Sequence, residues 1–236
     1  MHNCAVRELG RIEYGKAFEL QQRLVEQRKQ GLIADQLLLL EHPHTITLGR
    51  NGRLENLLAS EPALRSAGIS FHASDRGGDI TYHGPGQVVG YPILDLREWK
   101  RDVGAYVRAI EQVMIDTLAD FGIAAGRVAG CSGAWVDGKK IGAIGVHISR
   151  WVTSHGFAYN VATDLRYFDL IVPCGIAERK ATSLEKLLGR CVSLNEVKPR
   201  LAAHFGEVFG LEVRPADRSE LLERLEEAER AVAVPA

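Results

Sequence analysis

The chain has 236 residues, of which 46% are hydrophobic and 25% charged, as is typical of a globular protein with a buried core. Its 29 Lys and Arg residues are balanced by 30 Asp and Glu residues, so no net positive field favours nucleic-acid binding. Since no apolar run approaches the roughly 20 residues needed to cross a bilayer, and the amino terminus lacks a secretion-signal pattern, we expect a cytoplasmic protein that binds neither nucleic acid nor membrane.

The first half of the chain predicts a helix followed by several short strands. The helix is predicted over 14–30, because its apolar residues recur with a period near 3.6 and Gly31 ends it. An aliphatic run at 36–41 predicts a buried strand, with a turn at 42–44 before the next strand. The remaining predictions here are strands at 45–48, 69–72 and 88–96 and a short helix at 62–67.

The second half contains the strongest helix and hairpin signals. Residues 102–121 predict an amphipathic helix ended by Gly122. Asp137-Gly138 separates two apolar segments, 133–136 and 140–148, and predicts a type I′ hairpin turn, in which both central residues need a positive φ. Further predictions are strands at 157–161, 170–172 and 211–214, helices at 183–188 and 194–209, and a charged helix from Asp217.

These elements predict the α+β fold class, with a mostly antiparallel or mixed sheet flanked by helices. No repeat, low-complexity tract or linker divides the chain. We therefore expect a single catalytic domain over residues 1–214 and a peripheral carboxyl-terminal helix and tail over 215–236.

The segment 76–87, RGGDITYHGPGQ, combines four glycines and a proline with Arg76 and His83. Glycines let the backbone approach a ligand closely, and either polar side chain could contact a polar group of a substrate. We interpret the segment as a substrate-binding loop. The alternative is a glycine-rich connector in which His83 has a structural role.

Cys174 is the strongest candidate for a nucleophile among the four cysteines. It follows an aliphatic run and lies between Pro173 and Gly175, where a turn can lift a side chain out of a sheet. Cys131, in another glycine-rich turn, is the second candidate, and any of the four could instead be a buried apolar residue. Without a C-x-x-C pair, we expect neither disulfides nor a zinc site; His42 and His44 also lack a third ligand, so no metal is predicted.

A catalytic thiol needs a neighbouring cation, because a cation favours the thiolate. Lys139 and Lys140 begin the second hairpin strand, and strand alternation points them to opposite faces, so at most one can reach a site. The alternative for either is a solvated surface lysine. His147 and His155, close to the hairpin, are candidate general bases. The alternative for both is that they cap backbone groups or lie half-exposed.

Four motifs in this order resemble the lipoyl(octanoyl) transferases: HPHTITLG at 42–49, RGGDITYHGPGQ at 76–87, KIGAIG at 140–145 and PCG at 173–175. The resemblance extends from about residue 10 to residue 213. It implies a fold like the catalytic core of biotin protein ligases and lipoate ligases, and a reaction that needs no cofactor.

The resemblance also implies the substrates and the residues that act on them. The family transfers octanoyl or lipoyl groups from acyl carrier protein to a lysine of lipoyl domains, such as those of glycine cleavage H protein and of 2-oxoacid dehydrogenase acyltransferase subunits, as the first step of endogenous protein lipoylation. By this similarity Cys174 forms an acyl thioester and Lys140 lowers the pKa of the thiol and transfers protons. The residues matching the acyl channel are Arg76, Gly77, Gly78, Asp79, Ile80, Thr81, Tyr82, His83, Ala143, Ile144, Gly145, Gly156, Phe157 and Ala158.

Three other functions compete with this reading. An ATP-dependent lipoate, octanoate or biotin ligase shares the fold but needs no nucleophilic cysteine. A non-catalytic acyl-binding or carrier-domain-binding protein would leave Cys174 packed and Lys140 solvated. A papain-like hydrolase would require a Cys-His pair in place of the lysine-bearing hairpin.

Overall fold

A computed structural model describes residues 2–172 and 180–217 of the chain. The segment that carries Cys174 and the predicted tail helix lie outside the described residues. The strands are β1 (His2–Arg11), β2 (Asp35–Glu41), β3 (Thr45–Leu48), β4 (Ser70–Ala73), β5 (Ile80–His83), β6 (Gln87–Ile93), β7 (Gly126–Val128), β8 (Cys131–Val136), β9 (Lys139–Ser149), β10 (Val152–Asn160) and β11 (Leu211–Pro215). The α-helices are α1 (Tyr14–Lys29), α2 (Glu61–Ser66), α3 (Val103–Ala119), α4 (Leu184–Leu188) and α5 (Leu194–Phe209), and two 3₁₀ helices cover Leu54–Asn56 and Leu165–Leu170.

The described strands form two sheets. The main sheet has eight strands in the order β11-β1-β2-β6-β10-β9-β8-β7. Its first three strands are parallel to one another, and the remaining pairings are antiparallel. The small sheet has the order β4-β3-β5. This arrangement confirms the predicted α+β class with a mixed sheet and flanking helices.

Strand β2 shows why the main sheet is covered on both faces. Its side chains alternate, so Leu37 and Leu39 pack in one apolar cluster while Leu38 and Leu40 pack in another. The first cluster contains residues of α3 and α5, and the second contains residues of α1. The continuous aliphatic run seen in the sequence is thus a strand buried between two layers of helix.

The predicted hairpin is confirmed. β8 and β9 pair antiparallel across Asp137 and Gly138, whose φ angles are 47° and 73°, as a type I′ turn requires. The predicted helices over the described residues are also present, and Ser193 with Glu196 forms a capping box at the start of α5. Among the described residues, no helix is long and apolar enough to cross a membrane.

One predicted strand is wrong, and three observed strands were not predicted. Residues 165–170 form a 3₁₀ helix, and Ile171 makes only an isolated bridge to Leu57 in place of the strand expected at 170–172. The apolar residues there are explained by packing, since Phe168, Leu170 and Ile171 join the cluster of the small sheet. The unpredicted strands are β1, β7 and β5, the last of which lies inside the glycine-rich segment.

Candidate active site

A cavity of about 110 Å³ is lined by residues from both sheets. One wall comes from β9 and β10 of the main sheet, and the facing residues come from the glycine-rich segment, which contains β5. Most of the predicted acyl-channel residues line it: Arg76, Gly78, Asp79, Ile80, Thr81, His83, Ala143, Ile144, Gly145, Gly156, Phe157 and Ala158. The chain therefore brings together, around one cavity, segments that lie far apart in sequence.

Gly77 and Tyr82 are not among the residues that line the cavity. Tyr82 packs on the other side of β5, where its ring is parallel to that of Tyr167 at 5.0 Å and its hydroxyl bonds His44 Nδ1 at 2.7 Å. The Gly77 N–H donates to the Val146 carbonyl at 2.8 Å. Both residues thus hold the glycine-rich segment in place from outside the cavity wall.

Arg76 is buried, and its guanidinium is hydrogen-bonded to Thr47 of the neighbouring strand β3. Nη2 donates to the Thr47 carbonyl at 2.7 Å and to Thr47 Oγ1 at 2.8 Å. Glycines make room for this side chain, because a Cβ on Gly145 would lie 3.0 Å from Arg76 Cδ, and one on Gly49 would lie 2.8 Å from Nη1. Arg76 therefore ties the glycine-rich segment to β3, and this fixes the part of the cavity wall that the segment forms.

A hydrogen-bonded chain fixes the proton position on His83. The Gln87 amide nitrogen donates to Asn160 Oδ1 at 2.9 Å, so its oxygen is left to accept from His83 Nδ1 at 2.9 Å. Nδ1 therefore carries the hydrogen, and Nε2 is the acceptor nitrogen. Burial lowers the pKa of His83 to about 3, which keeps the ring neutral near pH 7.

His155, one of the two candidate general bases, lines the cavity, and His147 does not. His155 Nε2 bonds Asp75 Oδ1 at 2.7 Å, and its backbone φ of 54° is unusual for a residue with a side chain. Burial lowers the pKa of His155 despite the Asp75 carboxylate. His147 Nδ1 lies 3.8 Å from the other oxygen of Asp75.

His42 and His44 have structural partners. His42 Nδ1 donates to the Ile12 carbonyl at 2.7 Å, and the Tyr91 hydroxyl bonds Nε2 at 2.8 Å. Burial lowers the pKa of His42 to about 4. Within residues 2–172 and 180–217, no three His, Cys, Asp or Glu side chains are grouped to hold a metal ion.

Lys140 lies in the cavity wall, whereas Lys139 is exposed, in line with strand alternation. Its Nζ donates to the Ser132 carbonyl at 3.0 Å and lies 4.8 Å from the centre of the Trp135 ring. Cys131, the rival thiol, lines the same cavity and is partly buried. Because Cys131 and Lys140 line the same cavity, position alone does not exclude Cys131 as the nucleophile.

The residues on either side of the Cys174 segment are attached next to the cavity. The Lys140 N–H donates to the Lys180 carbonyl at 3.1 Å, and the Thr182 N–H donates to the Lys140 carbonyl at 2.9 Å. At the other end, the Val172 N–H donates to the Asn56 carbonyl at 2.8 Å, and the Asn56 amide bonds Asp79 of the cavity wall at 2.6 Å. Val172, Lys180 and Thr182 are thus all bonded to residues that line the cavity or contact its wall.

Several cavity residues were not predicted from the sequence. Tyr14, Trp135, Phe168 and Ala181 were missed because their positions depend on how distant elements pack. Asn160 carried a usable signal, since a polar amide inside the strand predicted at 157–161 needs a partner once buried. It bonds Gln87 and donates to the Thr182 carbonyl at 3.0 Å, which links His83 to the segment bonded to the Lys140 backbone.

Similarity to known proteins identifies the family. The family model described as the lipoyl protein ligase A/B catalytic domain matches residues 13–206. An octanoyltransferase of Solibacter usitatus is 62% identical over 215 residues, which are 91% of this chain and 97% of that protein. An octanoyltransferase of Acidobacterium capsulatum is 54% identical over 220 residues, covering 87% of this chain and 89% of the other.

Solved structures agree on the fold. A bipartite lipoate protein ligase, studied with its E2 lipoyl domain, from Thermoplasma acidophilum superposes with a TM-score of 0.76 at 17% identity and covers 97% of this chain and 92% of its own. Biotin protein ligase from Aquifex aeolicus gives a TM-score of 0.52 at 12% identity, covering 98% of this chain and 77% of its own. The chain belongs to the lipoyl protein ligase A/B family and, within it, to the octanoyltransferases, which are acyltransferases of protein lipoylation.

Proposed function

We propose that this chain transfers an octanoyl or lipoyl group from acyl carrier protein to a lysine of lipoyl domains through an acyl thioester on Cys174. The proposed acceptors are lipoyl domains such as those of glycine cleavage H protein and of 2-oxoacid dehydrogenase acyltransferase subunits. The observation that carries the assignment of residues is the attachment of Lys180 and Thr182 to the backbone of Lys140. Since Cys174 precedes Lys180 by six residues, the chain that bears the thiol returns to the strand that bears the lysine.

The proposed reaction has two steps, each with Lys140 as the proton carrier. In the first, the Cys174 thiolate attacks the carbonyl carbon of the carrier thioester, and the carrier thiolate leaves with a proton from the Lys140 ammonium. In the second, the acceptor lysine amine attacks the enzyme thioester, its proton passes to Lys140, and the Cys174 thiolate leaves as the amide forms. Because each thioester bond is more reactive than the final amide, the transfer needs no nucleotide.

The cavity wall suits an acyl chain. Ala143, Ile144, Phe157 and Ala158 are apolar, and Gly145 and Gly156 present no side chain. Burial of each methylene contributes about 0.8 kcal/mol, so a chain of eight carbons gains affinity mainly from its length. The same apolar wall keeps water from the thioester intermediate.

Intact and peptide mass spectrometry tests the proposal. Incubation with octanoyl-acyl carrier protein in the absence of ATP should add one octanoyl group, and the adduct should map to the Cys174 peptide. No adduct, followed by octanoylation of a lipoyl domain only when ATP is supplied, would instead favour a ligase.

Matched cysteine variants separate the two candidate nucleophiles. Cys174→Ala should abolish turnover, because no nucleophile remains, whereas Cys131→Ala should leave turnover largely intact. Steady-state transfer of octanoate to a purified lipoyl domain is the measurement. Equal loss in the two variants would contradict the assignment of Cys174 as the nucleophile.

A further inference from the structure

The peptide group whose carbonyl accepts the Lys140 hydrogen bond also donates its N–H to a carboxylate. Lys140 Nζ donates to the Ser132 oxygen at 3.0 Å. That oxygen belongs to the peptide group between Ser132 and Gly133, whose N–H donates to Glu111 Oε1 at 2.9 Å. A single peptide group therefore joins the lysine ammonium on one side to a carboxylate on the other.

Glu111 is itself fixed in position. It lies on α3, is 6% exposed, and accepts from Arg127 Nε through its second oxygen at 2.8 Å. Arg127 Nη2 also donates to Gln112 Oε1 at 2.8 Å and to the Arg108 carbonyl at 3.2 Å, both on the same helix. A buried carboxylate with both oxygens engaged has little freedom to move.

The backbone at Gly133 lacks the support of a regular strand. Its φ is 130°, and a Cβ at this position would lie 2.2 Å from the Gly142 carbonyl oxygen. The pairing of β8 with β9 also shifts register between Ala134 and Trp135. Where the ladder is irregular, the orientation of a peptide group depends on other partners, and here the partner is Glu111.

We propose that Glu111 is a positioning residue for acyl transfer that acts on Lys140 through the Ser132–Gly133 peptide group. By accepting the N–H, the carboxylate fixes the plane of this peptide and polarises it, which strengthens the carbonyl as an acceptor for the ammonium. The flexible lysine side chain is thereby held in one place in the cavity wall. The inference rests on the proposed roles of Lys140 and Cys174.

The test uses the full chain and two readouts. The first is steady-state octanoyl transfer, with kcat and KM measured separately. The second is the pH dependence of alkylation of Cys174 by iodoacetamide, followed on the Cys174 peptide by mass spectrometry, because it reports how well a neighbouring cation favours the thiolate. Lys140→Ala gives the midpoint pH of alkylation that is expected when that cation is lost.

Glu111→Ala should lower kcat by about ten- to a hundredfold, as is usual when a catalytic group is misplaced, with little change in KM. It should also move the alkylation midpoint upward, toward that of Lys140→Ala. Glu111→Gln keeps an oxygen for the Gly133 N–H and should retain most of kcat and the original midpoint. If Glu111→Ala does not fold, Glu111→Asp, one methylene too short to reach both partners, should give the same losses.

Asp35→Ala is the matched control. The Asp35 carboxylate is buried and accepts from one backbone N–H, that of Asp95 at 3.0 Å, and from one arginine, Arg28 Nε at 2.8 Å, but it does not line the cavity. Asp35→Ala should lower the melting temperature without changing the midpoint pH of Cys174 alkylation.

Two outcomes would overturn the role of Glu111. The first is an unchanged midpoint and kcat in Glu111→Ala, and the second is a loss of kcat that matches Asp35→Ala with no midpoint shift. In either case the proposed function stands if Cys174→Ala and Lys140→Ala are inactive. Full activity in those two variants would instead remove the proposed function itself.

Discussion

At the scale of residues, buried histidines lie in and next to the cavity wall. His83 and His155 line it, and the ring of His42 lies 5.7 Å from that of His83. Burial is the largest cause of the lowered pKa of all three. A cluster of this kind can accept hydrogen bonds near pH 7 without adding positive charge to the cavity wall.

The same histidines predict acid sensitivity. A buried histidine whose pKa is below its unfolded value stabilises the fold above pH 6.5, and that contribution is lost as the pH falls toward the folded pKa. For His42, with a folded pKa of about 4, the loss between pH 7 and pH 5 should be about 2 kcal/mol. Urea unfolding at the two pH values measures it, and His42→Gln should show a smaller difference between them.

His204 on α5 provides a control, because its pKa is shifted in the opposite direction to that of His42. Burial alone would lower the pKa of His204, but hydrogen bonds to Asp120 at 3.0 Å and Glu207 at 3.1 Å outweigh it and raise the pKa. Its contribution is therefore present at low pH and lost as the pH rises through the folded pKa. His204→Gln should cost more stability at pH 5 than at pH 8. An unchanged pH dependence in His42→Gln would contradict the role given to His42.

At the scale of elements, close approach of the glycine-rich segment to β9 shapes the cavity. An added Cβ at Gly145 would lie 2.9 Å from the Gly77 carbonyl oxygen and 3.0 Å from Arg76 Cδ, so the segment would have to shift. Gly145→Ala should therefore destabilise the fold by about 1–3 kcal/mol, as overpacking does. It should also lower kcat/KM for octanoyl transfer, because Arg76 and Gly78 line the cavity.

Gly126→Ala is the matched control for this prediction. Gly126 also lies on a strand of the main sheet, and a Cβ there meets nothing within 4 Å. Its effect on stability should stay within about 0.5 kcal/mol. If thermal unfolding and transfer kinetics of the two variants are alike, the close approach at Gly145 does not constrain the segment.

Elements with a local pattern could be predicted from sequence, and those that depend on distant partners could not. The hairpin was predictable because Asp137-Gly138 has few alternatives to a type I′ turn. β1 was missed because its inward side chains include Arg7, which is buried against Gln36 of β2 and breaks the apolar alternation. The same limit applies to the site: its motifs could be recognised in the sequence, but the bonds from Glu111 and Asn160 depend on how separate elements pack.

At the scale of the whole molecule, β11, the last strand of the described residues, covers the edge of β1 in the main sheet. β11 pairs parallel with β1, and Val213 lies against Gly206 of α5. Beyond the strand, the Ala216 N–H donates to the Val6 carbonyl at 2.9 Å, and Arg7 Nε donates to the Asp217 carbonyl at 3.1 Å. The proposed catalytic domain therefore includes residues up to 217, three more than the boundary expected from the sequence.

Truncation tests this boundary. A chain ending at Asp217 keeps β11 and its bonds to β1, so its melting temperature and octanoyl transfer should match those of the full chain. A chain ending at Gly210 leaves the edge of β1 unpaired and exposes the surface of α5 that Val213 covers. It should therefore melt at a lower temperature and aggregate more readily. Loss of transfer activity in the chain ending at Asp217, with its melting temperature unchanged, would show that residues 218–236 act in the reaction and would contradict a peripheral tail.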